Sequence, residues 1–291
     1  MNEIKKILFS GIKRFICSSM PAENYVIRNP MQISRHSEVE FLFVLHGESM
    51  LPLNNKLFKA ETGDMFIIDS WEPHAFGYFN HDHDLLHLWL HLNKNCLKGD
   101  ILQVKSDGQF RYRFPPFELP YDITDLIRRR CSIARKKEGF ITEESVDKYL
   151  RLPLKLLINE ILLHFEQNHI AEIRNNTNDV IGPVKQYIQA AHGAHCSLDE
   201  IEKYTGYNKF YFSHLFKVKT NSTIGEYVNH VRIRYTAEAD VYGMKHKDIA
   251  TAIGFSSISA YCQWKRKYKN KIEELKEQIK RELKSEKKIY K

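Results

Sequence analysis

The spacing of apolar and polar positions changes near residue 120. Between residues 24 and 105, short apolar runs recur between turn signals about every ten residues, the rhythm of strands in an antiparallel sandwich or barrel. Glu40-Phe41-Leu42-Phe43-Val44-Leu45 reads as a strand stopped by Gly47. Leu53-Asn54-Asn55-Lys56-Leu57 reads as a hairpin turn, and Thr62-Gly63-Asp64 as a second turn before the strand Met65-Phe66-Ile67-Ile68. From residue 122 to 170 the period is helical, with Leu154, Leu157, Ile158, Ile161, Leu162 and Phe165 on one stripe. Pro153 sits in the first turn of that helix or kinks it. The polar stretch with Asn175-Asn176-Thr177-Asn178 reads as a linker, and helical periods follow it. After Asn270 the chain is charged, yet Ile272, Leu275, Ile279 and Leu283 share one helix face, which predicts an added helix or a frayed one.

Within the helical half one pattern occurs twice. Ile201-Glu202-Lys203-Tyr204-Thr205-Gly206-Tyr207-Asn208 is echoed by Ile249-Ala250-Thr251-Ala252-Ile253-Gly254-Phe255-Ser256. Each copy is a short helix ending at Gly, then an aromatic residue, then a polar N-cap (Asn208, Ser256) opening a second helix. That is the helix-turn-helix pattern, whose second helix lies in the major groove of DNA.

Charge follows the same division. The net charge is +8. Residues 180–291 hold 21 Lys and Arg against 12 Asp and Glu, and the first 179 residues hold 23 against 24. The excess cations therefore accompany the repeated motif, as phosphate neutralisation requires. Five Cys (Cys17, Cys96, Cys131, Cys196, Cys262) without a C-x-x-C pair argue against a disulfide framework or a zinc site and fit a reducing cytoplasm. The N-terminal run through Ile7-Leu8-Phe9 is cut short by Lys13-Arg14, so it is not a signal peptide, and no run reaches membrane-spanning length. A soluble, cytoplasmic protein is expected.

These pieces in this order resemble the AraC/XylS family of bacterial transcription regulators. The specific part of the resemblance lies in Leu198-Asp199-Glu200-Ile201, Gly206-Tyr207, the run from Tyr211 to Lys217, Glu226-Tyr227, Arg232-Ile233, Asp248-Ile249-Ala250 and Ile253-Gly254-Phe255-Ser256. The N-terminal half is similar to that family's cupin-type sensing domain at His36, Glu40, Gly63-Asp64, Glu72-Pro73-His74 and Trp89-Leu90-His91. The resemblance implies an α+β chain: an N-terminal antiparallel, cupin-like β-barrel (residues 1–120), a helical dimerisation segment (121–172), a linker (173–179), an all-α domain with two helix-turn-helix units (180–270) and a charged helical tail (271–291). It also implies two reading units joined by a central helix near residues 224–241, and a homodimer, here through the stripe of Leu154, Leu157, Ile158, Ile161, Leu162 and Phe165. Activation with RNA polymerase as a partner is implied rather than repression.

Carried over by position, the base-reading residues are Phe210, Ser213 and His214 in the first recognition helix, and Ile258, Ser259, Cys262 and Gln263 in the second. Lys209, Lys217, Arg232, Arg266 and Lys267 are the phosphate contacts. Four departures from the family pattern stand out. Glu202 replaces a small residue, and the central helix lacks its leucines at Thr236-Ala237-Glu238-Ala239-Asp240-Val241. Lys265 stands where Phe216 stands in the first unit, and Lys269-Asn270-Lys271-Ile272 replaces a Gly-x-Ser-Pro-like stretch. These departures point to a weakened second unit.

In the N-terminal half, His36, Glu38 and Glu40 share one strand face, and His81, His83, His87 and His91 share another. His81 and His83 alternate with Asp82 and Asp84 in an apparent hairpin turn, so solvent is their expected environment. His87, Trp89 and His91 either line the barrel interior or are satisfied sheet histidines. The cupin ligand set is incomplete, with Glu38 where a second His belongs, so no metal or other cofactor is expected. Nothing resembles an activated nucleophile, a phosphate-binding loop or a paired-carboxylate site, so no catalytic residue is assigned. The pocket of His36, Glu40, Trp71, His74 and Trp89 is expected to sense a small polar or amphipathic molecule, or acidification. Two other functions stay open at this level: a metal-dependent cupin enzyme fused to a basic module, and a degenerate regulator that acts by dimerising with a partner.

Overall fold

The computed structural model describes residues 11–24, 33–75, 83–93, 96–105, 110–112, 114, 117–167, 181–205 and 207–289. It divides into two compact units, residues 1–28 with 37–176, and residues 29–36 with 177–291. Gly206, His81, Asp82 and residues 173–179, given roles above, lie outside the described residues.

The first unit is built on two sheets. One runs β1 (Arg14–Ile16), β7 (Asp64–Ile68), β4 (Val39–His46), β9 (Leu85–Leu92), β10 (Leu97–Val104) and β11 (Phe110–Tyr112), with β12 (Phe117–Leu119) also on β10. The other contains β2 (Glu23–Asn24), β6 (Lys56–Glu61), β5 (Glu48–Leu53) and β8 (His74–Ala75). The short strand β3 (Ile33–Ser34) falls in the segment grouped with the second unit. Pairs in the first unit are antiparallel, as predicted, except β1, which runs parallel to β7. The predicted hairpin joins β5 to β6, and Asn54 (φ 48°) and Asn55 (φ 61°) both take the left-handed conformation that Asn tolerates in such two-residue turns.

Strand β4 is buried on both faces. Leu42 and Val44 join Leu51, Leu53, Phe58, Ala60, Phe66, Ile68 and Trp89 between the two sheets. Phe41, Phe43 and Leu45 face the other way, into a core shared with helices. Those helices are α1 (Tyr121–Arg135) and α2 (Arg151–Gln167), which is entered through one capped turn (Glu143–Ser145) and a wider turn (Val146–Leu150). Pro153 lies within a continuous helical run, just after the wider turn in which the Arg151 N–H reaches back to the Val146 carbonyl, so the ladder changes spacing where the proline supplies no N–H. Asp69, after β7, ties α1 down: Arg135 pairs with its carboxylate, which also accepts the Ile141 amide N–H at 3.0 Å.

One expectation is corrected here. Leu154, Leu157, Ile158, Ile161, Leu162 and Phe165 do form a stripe, but all are 0–4% exposed in the unit's own core. The outer face of the sheet is apolar and needs a cover, and this stripe supplies it. It is therefore not a free surface for a second copy. The exposed residues of α2 are Leu152, Lys155, Leu156, Asn159, Leu163, Glu166 and Gln167.

The second unit contains α3 (Ile181–Ala190), α4 (Leu198–Thr205), α5 (Lys209–Thr220), α6 (Ile224–Val241), α7 (His246–Ala252), α8 (Ile258–Lys267) and α9 (Lys269–Ile289). The charged tail is thus an added helix, with Ile272 fully buried. No helix among the described residues is long and apolar enough to cross a membrane.

The burial difference within α2 has a measurable consequence. Ile161→Ala should cost about 2–5 kcal/mol of unfolding free energy in urea titrations, whereas Lys155→Ala, exposed on the same helix, should stay within about 0.5 kcal/mol. Equal effects would mean that the stripe does not cover the sheet.

Candidate nucleic-acid interface and buried barrel site

The first helix-turn-helix is α4 and α5. Asn208 caps α5 as predicted, its side-chain oxygen accepting the amide N–H of Phe210 at 3.0 Å and of Tyr211 at 3.4 Å. Phe212 and Phe216 are fully buried among Val184, Ile188, Ile201 and Ile224. With those two turned inward, the opposite face of α5 turns out. Phe210 is 71% exposed, His214 and Lys217 are exposed, and Ser213 is half-buried. Tyr211 (57%) and Val218 (67%) share that exposure and were not among the predicted contacts. Glu202, which departs from the family pattern, accepts the Lys209 amide N–H at 3.1 Å and so adds a cap to the first turn. The Lys209 ammonium pairs with exposed Asp199, a contact that solvent screens.

The second helix-turn-helix is α7 and α8. Gly254 turns the chain with φ +80°, and an added Cβ there would lie 2.8 Å from the Ala194 Cα, so both conformation and space call for Gly. The cap is a correction: Ser257, not Ser256, precedes α8, and its hydroxyl accepts the Ala260 amide N–H at 3.2 Å. Tyr261 is fully buried, and the outward face carries Ile258 (46% exposed), Ser259, Gln263, Arg266 and Lys267, with Cys262 half-buried beside them.

The departures in the central helix and Lys265 prove to be linked. Lys265 reaches Asp240 on α6 and contacts both carboxylate oxygens, at 2.7 and 2.9 Å. The Asp240 side chain is 8% exposed, so the pair is nearly buried; Lys276 of α9 and His246 of α7 stand 3.7 Å from the same carboxylate. Where leucines are missing from α6, Ile233 and Ala237 pack on Ile272, with Trp264, Tyr268, Leu275 and Ile279 around them. The Trp264 indole N–H also donates to Asn229 at 2.8 Å. Arg232, given a phosphate role above, is set apart from the exposed cations. It is half-buried, its guanidinium lies 5.0 Å from the centre of the Phe255 ring, and burial holds its pKa below the usual arginine value. Its geometry is that of a packing residue between α6 and the second turn.

The barrel interior holds a polar chain. Alternation along β4 places Glu40 on the same face as Leu42 and Val44, and the β4–β9 register sets Glu40 opposite His91. One Glu40 oxygen lies 2.7 Å from His91 Nδ1 and the other 3.2 Å from His74 Nε2, while His91 Nε2 is 3.6 Å from Asp100. Glu40 is 3% exposed and His74 fully buried. Desolvation pulls the His91 pKa down, but Glu40, Asp100 and Glu38 together outweigh it and push the value up to about 9. The imidazolium is thus held charged well above neutrality, and His91 is not a group that titrates on mild acidification. Desolvation first, against the attraction of His91, raises the pKa of the Asp100 carboxyl.

Of the predicted pocket, Glu40, His74 and Trp89 meet in this interior, with Trp89 stacked on His91 at 6.4 Å between ring centres. His87 is also buried. Trp71 is half-buried in the turn after β7, with φ 62°. His36 is buried in the segment that groups with the helical unit, its ring edge-on to His192 at 5.7 Å. His83 accepts the Glu48 amide N–H at 3.1 Å. Sequence reasoning missed Asp100, although its place two residues before Leu102 on one strand face was available from parity alone.

The buried pair in the second unit offers a test. Asp240→Asn leaves Lys265 without its counter-charge and should cost about 3–5 kcal/mol of unfolding free energy. The double variant Asp240→Leu with Lys265→Met should recover most of that loss in urea titrations. A mild effect of Asp240→Asn would mean that solvent already neutralises the pair.

Comparison with known proteins agrees with this layout. A cupin-domain model matches residues 30–91. The Msm operon regulatory protein of Streptococcus mutans is 21% identical over 245 residues, covering 79% of this chain and 80% of that protein. Among solved structures, an apo form of a ToxT point variant from Vibrio cholerae is 10% identical, covers 84% of this chain and 86% of its own, and has a TM-score of 0.30. A second ToxT structure, bound to (E)-4-(8-methylnaphthalen-1-yl)but-3-enoic acid, is 12% identical with a TM-score of 0.26 over 84% of this chain and 90% of its own. Both structural scores are too low to bear on how this chain is arranged. A cupin-domain match in front, two helix-turn-helix units behind, and a regulatory protein aligned over most of both lengths agree with this chain's resemblance to AraC/XylS-family transcription regulators.

Proposed function

We propose that this chain regulates transcription by binding a specific DNA sequence, with α5 and α8 as the two reading helices and the barrel as the sensor of an effector. The observation that carries this reading is the orientation of the two helices. Each buries its aromatic face (Phe212 and Phe216; Tyr261) and leaves outward a mixed face of base-reading and cationic residues. His214, Ser213 and Gln263 are suited to base edges, and Phe210 and Ile258 to thymine methyl groups. Lys209, Lys217, Arg266 and Lys267 are the phosphate contacts in this reading, and Arg232 is left out because it is half-buried against Phe255. Activation through RNA polymerase is the mode this reading adopts, and a DNA partner places the protein in the compartment that holds the DNA.

The homodimer is assigned to the outer face of α2. Leu152 (77% exposed), Leu156 (43%), Asn159 and Leu163 (46%) follow the alternating four-and-three spacing of a coiled-coil seam, in which one Asn favours a fixed register. A second copy presenting the same seam is the occupant that fits.

Two measurements test the reading. His214→Ala should weaken binding to the target site by about 1–3 kcal/mol and relax preference at one base position, while Lys217→Ala should weaken all duplexes alike and lower the salt slope by about one. If His214→Ala weakens random duplex as much as target, the helix does not read bases. For the dimer, Leu156→Glu should give a monomer in sedimentation equilibrium with unchanged far-ultraviolet circular dichroism, since the residue lies outside the core of its own subunit. A dimer that survives this change must use another face.

A further inference from the structure

Glu38, Glu40 and His91 bring one ligand atom each into a single cluster at the start of β4. These three atoms lie within 4.8 Å of one another, with Glu40 buried and the other two half-buried. Ligand atoms bound at about 2.0–2.2 Å to a divalent ion stand about 4.3 Å apart at most, so a contraction of a few tenths of an ångström closes the set. Two of the donors come from adjacent strands in fixed register, Glu40 opposite His91, and Glu38 lies in the bend that leads into β4. Behind them, Asp100 stands 3.6 Å from His91 Nε2, on the far side of the ring from Glu40. A carboxylate behind a histidine is the arrangement that fixes the tautomer of a metal-bound imidazole.

We propose that Glu38, Glu40 and His91 Nδ1 hold a divalent first-row transition ion, with Asp100 accepting the His91 Nε2 hydrogen bond. Two carboxylates and one imidazole suit manganese, iron or zinc; calcium and magnesium prefer oxygen alone. The ion would take the place of the proton that His91 Nδ1 otherwise shares with Glu40, so binding releases a proton. The set differs from the His36, Glu40 and His74 combination that the sequence offers, and it does not depend on the DNA-binding reading.

The test uses the full chain, stripped with a chelator and dialysed separately against Mn²⁺, Zn²⁺ and Co²⁺, with bound metal counted by mass spectrometry. One equivalent is expected, and the Co²⁺ form should show visible ligand-field bands. Glu38→Gln and His91→Gln should each remove stoichiometric binding, and Asp100→Asn should weaken it by about 10–100-fold. His36→Ala should bind as wild type. Glu38 is half-exposed, so its variant keeps the fold, and near-ultraviolet circular dichroism checks all four. Less than a tenth of an equivalent on wild type overturns the proposal. So does a Glu38→Gln protein that binds normally, or a His36→Ala protein that loses the ion.

Discussion

Burial of β4 and β9 on both faces is the constraint from which the first unit follows. A sheet with an apolar outer face must be covered, and α1 and α2 do so with every large apolar residue of their inner stripes. The inner face closes against the second sheet. Any charged residue on that inner face is then cut off from water and needs a partner from a neighbouring strand. Glu40 is such a residue, and His91 stands opposite it because the strand register leaves no other position. The polar chain from His74 to Asp100 is thus a product of packing before it is a site.

Much of this was legible in the sequence because its causes are local. The Asn54-Asn55 turn, the Asn208 cap and the inward aromatic pair Phe212 and Phe216 each follow from a few adjacent residues. What was not legible depended on choosing a partner. The stripe on α2 was correctly placed on one helix face, yet periodicity does not say whether that face meets a second chain or the sheet of its own. The sheet wins because it offers a larger apolar area without the entropic cost of association. The shift of the cap from Ser256 to Ser257 has a similar origin: two neighbouring Ser offer equal chemistry, and the sequence does not say which of them starts the helix.

The departures from the family pattern show the same limit more sharply. Read singly, Lys265 and Asp240 each weaken a core; read together, they complete each other at 2.7 Å. Ile272 and the rest of α9 fill the space left by the small side chains of α6. A one-residue-at-a-time comparison counts these as losses, although the structure pairs them.

That arrangement sets a rule for recombining this protein with its relatives. Here α6, α8 and α9 form one indivisible cassette, because each supplies a counterpart to the other two. A chimera cut between α8 and α9 would keep the Asp240–Lys265 pair but strip Ile272, Leu275 and Ile279 from Ile233 and Ala237 and leave that core open. The workable seam for such exchanges lies before Thr223, where a reciprocal Thr223–Glu226 cap starts α6 afresh.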